Sequence, residues 1–132
     1  MRPRALIVED DRATREVLRT ILEGEGLMVD SVNDGDAAIE HLRTEHYALI
    51  LLDIVLPTVS GTEVMEHLQT HNPPALERTV VVTGLDVAEI RKVFPTVVHA
   101  LSKPVLPARL RSAIRSCVHQ SGEGTAYGFI VA

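Results

Sequence analysis

The chain of 132 residues holds one cysteine, no tryptophan, two tyrosines and two phenylalanines. A single cysteine, Cys117, excludes an intrachain disulfide and any zinc site built on paired cysteines. That usage fits a reducing, cytoplasmic setting. No apolar run approaches the roughly 18 residues that a membrane span requires. The opening Met1-Arg2-Pro3-Arg4 leads into a strand-like run rather than a signal peptide, so no membrane contact is expected. Positive charge is in deficit, with 13 Lys and Arg against 18 Asp and Glu and a formal net charge of -5. An acidic balance argues against direct binding of nucleic acid. Internal repeats and low-complexity segments are also missing from the body of the chain.

What is present is ordinary for one folded domain. The hydrophobic fraction is 45% and the charged fraction 23%, which excludes disorder as the main state. At this length folding buries about two-thirds of the chain's surface, enough for a core without staples.

Apolar runs and helical stripes alternate along the chain. Residues 5–8 are apolar on both faces and read as a buried strand ending in Glu9-Asp10-Asp11. A helical stripe follows through Ala13, Val17, Leu18, Ile21 and Leu22, with Gly24 or Gly26 as its stop. Residues 27–32 read as a second strand, and Asp34 or Asp36 can cap the next helix. Residues 47–52 form the strongest apolar run, which predicts a central strand with Asp53 at its C-terminal end. A third helix carries Val64, Met65 and Leu68 and closes at Asn72-Pro73-Pro74. Residues 79–83 predict a fourth strand, 86–93 a short helix, 97–101 a fifth strand and 107–118 a last helix. Residues 121–125 read as a Gly-rich linker and 126–132 as an apolar tail that leans toward docking on an apolar patch. The domain is thus expected over 1–120, with linker and tail over 121–132. Five strand–helix repeats with short connections predict an α/β fold with a parallel sheet and helices on both faces.

Parallel sheets put functional residues just past the C-terminal ends of their strands. Those ends carry Glu9, Asp10 and Asp11, then Asp53, Thr83 and Lys103. Such an oxygen-rich rim suits a hard cation such as Mg²⁺. A carboxylate can also act as a nucleophile toward phosphorus, and a transferring phosphoryl group needs positive charge on its oxygens. Asp53, central and flanked by the others, is the best nucleophile. Asp10 would bind the metal directly and Glu9 would support it through water. Thr83 and Lys103 would meet the phosphoryl oxygens. Taken singly, each residue reads more simply as a helix cap or a surface charge; the joint order, one chemical group per strand end, favours a site.

At these residues the sequence resembles response-regulator receiver domains of two-component signalling, the CheY-like family. The resemblance is carried by Leu6-Ile7-Val8-Glu9-Asp10-Asp11, by Leu51-Leu52-Asp53-Ile54-Val55-Leu56-Pro57-Thr58-Val59-Ser60-Gly61, by Val81-Val82-Thr83-Gly84 and by Leu101-Ser102-Lys103-Pro104. It covers roughly residues 4–119. It implies a flavodoxin-like (βα)5 sandwich with strand order 2-1-3-4-5. It implies that Asp53 accepts a phosphoryl group from a sensor histidine kinase or histidine phosphotransfer protein. Glu9, Asp10 and Asp53 then hold Mg²⁺ or Mn²⁺, with a backbone carbonyl offered by Val55. Thr83 matches the switch hydroxyl and Lys103 the phosphate-binding lysine, and a cis peptide is expected at Lys103-Pro104. The output face would be the fourth helix, fifth strand and fifth helix, toward a downstream protein or a second copy. Such a domain carries out its own phosphorylation and dephosphorylation chemistry, yet its role is signalling rather than metabolism.

Three departures stand out. The aromatic residue often found three places before the lysine is Ala100 here. The fourth helix is short. Val55 and Leu85, at positions that often tune the lifetime of the phosphoryl group, are apolar, which predicts slow self-hydrolysis. Ala100 gives weight to a pseudo-receiver, a protein-binding module independent of phosphorylation. An Asp-nucleophile phosphatase fits less well because Val55 stands where a second acid is common, and a flavin module lacks its phosphate loop. Of the six histidines, His67 and His71 alone share helical i, i+4 spacing; zinc needs a third ligand, so the pair reads as a solvated helix end. Cys117 reads as a small packed residue. Arg109, Arg111 and Arg115 read as a solvated basic stripe.

Overall fold

A computed structural model describes residues 2–54, 61–84 and 86–120, with side chains up to Cys117. The expectations for Val55, Leu85, the linker and the tail lie outside the described residues. Five strands, β1 Arg4–Val8, β2 Met28–Val32, β3 Leu49–Asp53, β4 Thr79–Thr83 and β5 His99–Ser102, alternate with α1 Arg12–Gly24, α2 Gly35–Thr44, α3 Gly61–His71, α4 Val87–Val93 and α5 Pro107–Gln120. All strand pairs are parallel, in the order β2-β1-β3-β4-β5. That is the flavodoxin-like topology expected.

The sheet separates two apolar layers because successive side chains of a strand point to opposite faces. Leu6, Val8, Ile50, Leu52 and Val81 face Ala38 of α2, Val64 and Leu68 of α3 and Ile90 of α4. Ala5, Ile7, Leu49, Leu51, Val80 and Val82 face Leu18 and Leu22 of α1 and Leu110, Ile114 and Cys117 of α5. β3 and β4 are buried along their whole length, as continuous apolar runs in a doubly covered sheet must be. Cys117 is packed in this second layer, and burial pushes its thiol up to about 12.

Local chemistry sets the helix starts. Asp34, not Asp36, caps α2, accepting from the Ala37 N–H at 2.8 Å. Asp86 caps α4 through the Ala88 N–H at 2.9 Å. Several boundaries differ from the sequence reading. Residues 73–78 form a 3-10 helix where only a stop was read. β5 begins at His99 rather than at residue 97, because the carbonyls that would start the ladder turn elsewhere: the Arg91 guanidinium donates to the Val97 carbonyl at 3.0 Å and reaches the Val98 carbonyl at 3.5 Å. α5 runs two residues further than expected, to Gln120.

Candidate functional site

Register brings the strand ends level. Val8 pairs with Leu52, Asp53 with Val82, and Thr83 with Ser102, so Glu9, Asp53, Thr83 and Lys103 all stand on one rim. Glu9, Asp53 and Thr83 are buried there, whereas Asp10 is exposed. The Lys103 N–H donates to the Thr83 carbonyl at 2.8 Å, which ties the loop after β5 to the end of β4. The expected cis peptide is present at Lys103-Pro104.

Lys103 bridges the two buried acids. Its ammonium lies 2.9 Å from Asp53 Oδ2, to which it donates, and 2.8 Å from Glu9 Oε1. Burial alone would lower its pKa, but bonding to Glu9 and Asp53 outweighs that and holds it above the ordinary lysine value. The lysine is therefore a fixed cation at neutral pH. Glu9 is raised from its ordinary value, chiefly by burial, with Lys103 and the Asp11 N–H acting against the rise. The Asp11 N–H donates to Glu9 Oε2 at 3.1 Å, while Glu9 Oε1 is buried with no hydrogen bond of good geometry beyond its ion pair with Lys103.

The rim acids divide into two kinds. Glu9, Asp10 and Asp53 each offer an oxygen within 4.8 Å of the others, the one such cluster among the described residues. Asp11 instead caps α1, accepting from the Thr14 N–H at 2.8 Å and the Thr14 hydroxyl at 2.6 Å. Those bonds lower its pKa and commit it to the helix. The acid cluster fits a divalent cation: its donors are hard oxygens, and the buried Glu9 oxygen lacks a well-made hydrogen bond.

Two supporting residues do not stand out in the sequence. The Arg15 guanidinium donates to the Glu9 carbonyl at 2.9 Å and reaches the Asp10 carbonyl at 3.4 Å, bracing the β1–α1 loop. Gly61 opens α3 against the end of β3, its N–H donating to the Ile54 carbonyl at 2.9 Å. A β-carbon on Gly61 would collide with Asp53 O and Ile54 Cα. The sequence signal for Gly61 is its place in the Asp53 segment; Arg15 carries none.

The strand order and the acids at the C-terminal rim define a flavodoxin-like α/β domain with an acidic site at its switch point. The family model of the response regulator receiver domain matches residues 5–115, and the chain belongs to that family. Among curated proteins it is 31% identical over 117 residues to the transcriptional regulatory protein CpxR homolog of Haemophilus influenzae, covering 88% of this chain and 50% of that one. It is 30% identical over 136 residues to the transcriptional regulatory protein AfsQ1 of Streptomyces coelicolor, covering 98% of this chain and 59% of that one. The chain thus spans about half the length of these curated relatives. Among solved structures, the CheY-like receiver domain protein of Methanospirillum hungatei superposes with a TM-score of 0.78 at 30% identity, covering 88% of this chain and 93% of that one. The CheY-like receiver domain of Methylobacillus flagellatus gives 0.76 at 28% identity, covering 88% and 98%.

Proposed function

We propose that Asp53 is the phosphoryl acceptor of a Mg²⁺-dependent receiver, with a phosphohistidine of a sensor histidine kinase or histidine phosphotransfer protein as donor. The observation that supports this best is the Lys103 ammonium between Asp53 and Glu9, with Asp10 in the same cluster. An Asp53 carboxylate oxygen attacks phosphorus. The phosphorus–nitrogen bond of the donor breaks, its electron pair stays on the imidazole, and an acyl phosphate forms on Asp53. Lys103, already protonated and anchored, pairs with the oxygens of the incoming group. The Thr83 hydroxyl, one residue past the register partner of Asp53, is the candidate donor to another. Glu9, Asp10 and Asp53 would hold Mg²⁺ or Mn²⁺, joined by the Val55 carbonyl from outside the described residues; bound there, the ion supplies charge neutralisation at the phosphoryl oxygens.

An apolar groove of about 530 Å³, lined by Val17, Leu18, Ile21, Pro104 and Val105, lies beside Lys103 and suits a helical donor surface. The output face is α4, β5 and α5, toward a downstream protein or a second copy. With a net charge of -5, the partner is a protein rather than nucleic acid. No helix among the described residues is long and apolar enough to cross a membrane, and a cytoplasmic signalling role over residues 1–120 completes the reading. Ala100 favours one alternative, a pseudo-receiver that binds partners without phosphorylation.

The test is phosphotransfer from a histidine kinase, or from acetyl phosphate, with Mg²⁺ and read by intact mass. Wild type should gain one phosphoryl group and Asp53→Asn none. A wild type that neither gains mass nor shows a saturable response to beryllofluoride with Mg²⁺ is a pseudo-receiver.

A further inference from the structure

Two groups that the phosphoryl site does not use stand together at the far end of α3. His67 and His71 are four residues apart on the helix, so their side chains share a face. Their ring centroids are 4.6 Å apart and their planes are tilted by 41°. With Leu42, Arg43, Leu68 and Asn72 they line a cleft of about 320 Å³ at the α2–α3 seam. Burial, then His71 and Arg43, hold the His67 imidazole below its ordinary value. It is therefore neutral at neutral pH, the form that has a lone pair to give. The charge of Arg43 is partly offset by Glu40, 3.2 Å away.

A metal–nitrogen bond is about 2.0 Å long, so two rings whose centroids lie 4.6 Å apart are close enough to share one ion. Nitrogen and oxygen ligands in a tetragonal arrangement suit Cu²⁺ and Ni²⁺. Structural zinc wants four protein ligands, and among the described residues no carboxylate or thiol joins this pair to make a group of three. Copper(II) stands at the top of the divalent affinity series, and water can fill its remaining positions. We propose that His67 and His71 form a surface chelate for copper(II), with nickel(II) bound more weakly, completed by water in the α2–α3 cleft.

The test is a copper(II) titration of the full chain at neutral pH, in a non-coordinating buffer with excess Mg²⁺ to occupy the acid cluster. At substoichiometric copper, paramagnetic broadening of amide signals should centre on His67 and His71 and reach Leu42 and Arg43. The electron paramagnetic resonance spectrum should be tetragonal with coupling to two nitrogens. His71→Gln changes an exposed residue and leaves the core intact, which circular dichroism checks. It should weaken binding roughly tenfold or more, because the second ligand of a chelate acts at a high effective concentration, and remove one nitrogen coupling. Broadening centred on another histidine, on the acid cluster or on the start of the chain would overturn the assignment. So would an affinity that His71→Gln leaves unmoved.

Discussion

Replacing Gly61 by alanine tests how tightly α3 is built against the phosphoacceptor strand. Alanine normally favours a helix over glycine by up to about 1 kcal/mol, so propensity alone predicts a gain. The packing predicts the reverse. The added β-carbon would overlap Asp53 O and Ile54 Cα and stand 2.8 Å from Ile54 C. These are backbone atoms, which cannot rotate aside. Restoring ordinary contact near 3.4 Å moves the start of α3, or the end of β3, by at least about 0.6 Å. Overpacking of this kind costs about 1–3 kcal/mol, which lowers Tm by roughly 3–15 °C in a domain of this size. The displaced backbone is that of Asp53 itself. Misplacement approaching 1 Å costs up to about 100-fold in rate, so phosphorylation should slow by roughly 10- to 100-fold. Thermal unfolding followed by circular dichroism gives the first quantity and the acetyl phosphate time course the second. Gly24→Ala is the control, since a β-carbon there meets nothing within 4 Å, and its Tm should hold or rise. A Gly61→Ala protein with the Tm and phosphorylation rate of wild type would refute the reasoning.

Lys103→Met removes the cation that Asp53 and Glu9 share, and phosphorylation should fall by roughly 100- to 1,000-fold. Mg²⁺ affinity, measured by calorimetry, should rise because a competing positive charge has left; phosphorylation at the wild-type rate would contradict the role given to Lys103. In Asp30, burial raises the pKa, but the Tyr47 hydroxyl and Arg4 outweigh it and hold the carboxyl below 3.8. A carboxyl lowered by folding adds stability above its unfolded value near about 4, and that stability is lost as pH falls through the lower folded value. Asp30→Asn should therefore flatten the urea midpoint against pH below about pH 4, and an unchanged slope would count against this network. Val55 and Leu85 offer no hydrogen bond to an attacking water, so the phosphorylated form should decay slowly; Val55→Asn should shorten its half-life, and a longer one would refute the proposal.

Asp53 was legible in the sequence because a short continuous apolar run between turn signals fits a doubly covered strand, and an acid that ends such a strand stands at the rim. Thr83 and Lys103 follow by the same logic, and register bears out their placement. Asp10 was read as a metal ligand from the sequence, and Thr14, three residues past Asp11, is the local partner whose N–H and hydroxyl turn Asp11 to capping α1 instead. Other features were not legible. Val97 and Val98 carry an apolar strand pattern, yet Arg91 six residues earlier takes their carbonyls and delays β5. Pro73-Pro74 was readable as a helix stop, but the 3-10 helix that these prolines open also buries Ala75 and Leu76 against the core. The histidine pair was visible as a spacing; the closeness of its two rings was not.

The acid cluster also explains why this rim is built at a cost to the fold. Glu9, Asp10 and Asp53 carry three negative charges when ionised, and Lys103 returns one positive charge. Like charges brought together at a partly buried rim oppose folding, and apolar residues at positions 9 and 53 would pack against the same neighbours without that opposition. The fold holds them in place by backbone means: Arg15 grips the Glu9 carbonyl, Gly61 lets α3 close on Ile54, and the Lys103 N–H fixes its loop to Thr83. None of those three contacts neutralises a carboxylate. With all three acids ionised, the sum over these four groups is opposite and equal to the charge of a divalent cation, so a cation bound there would favour the folded state.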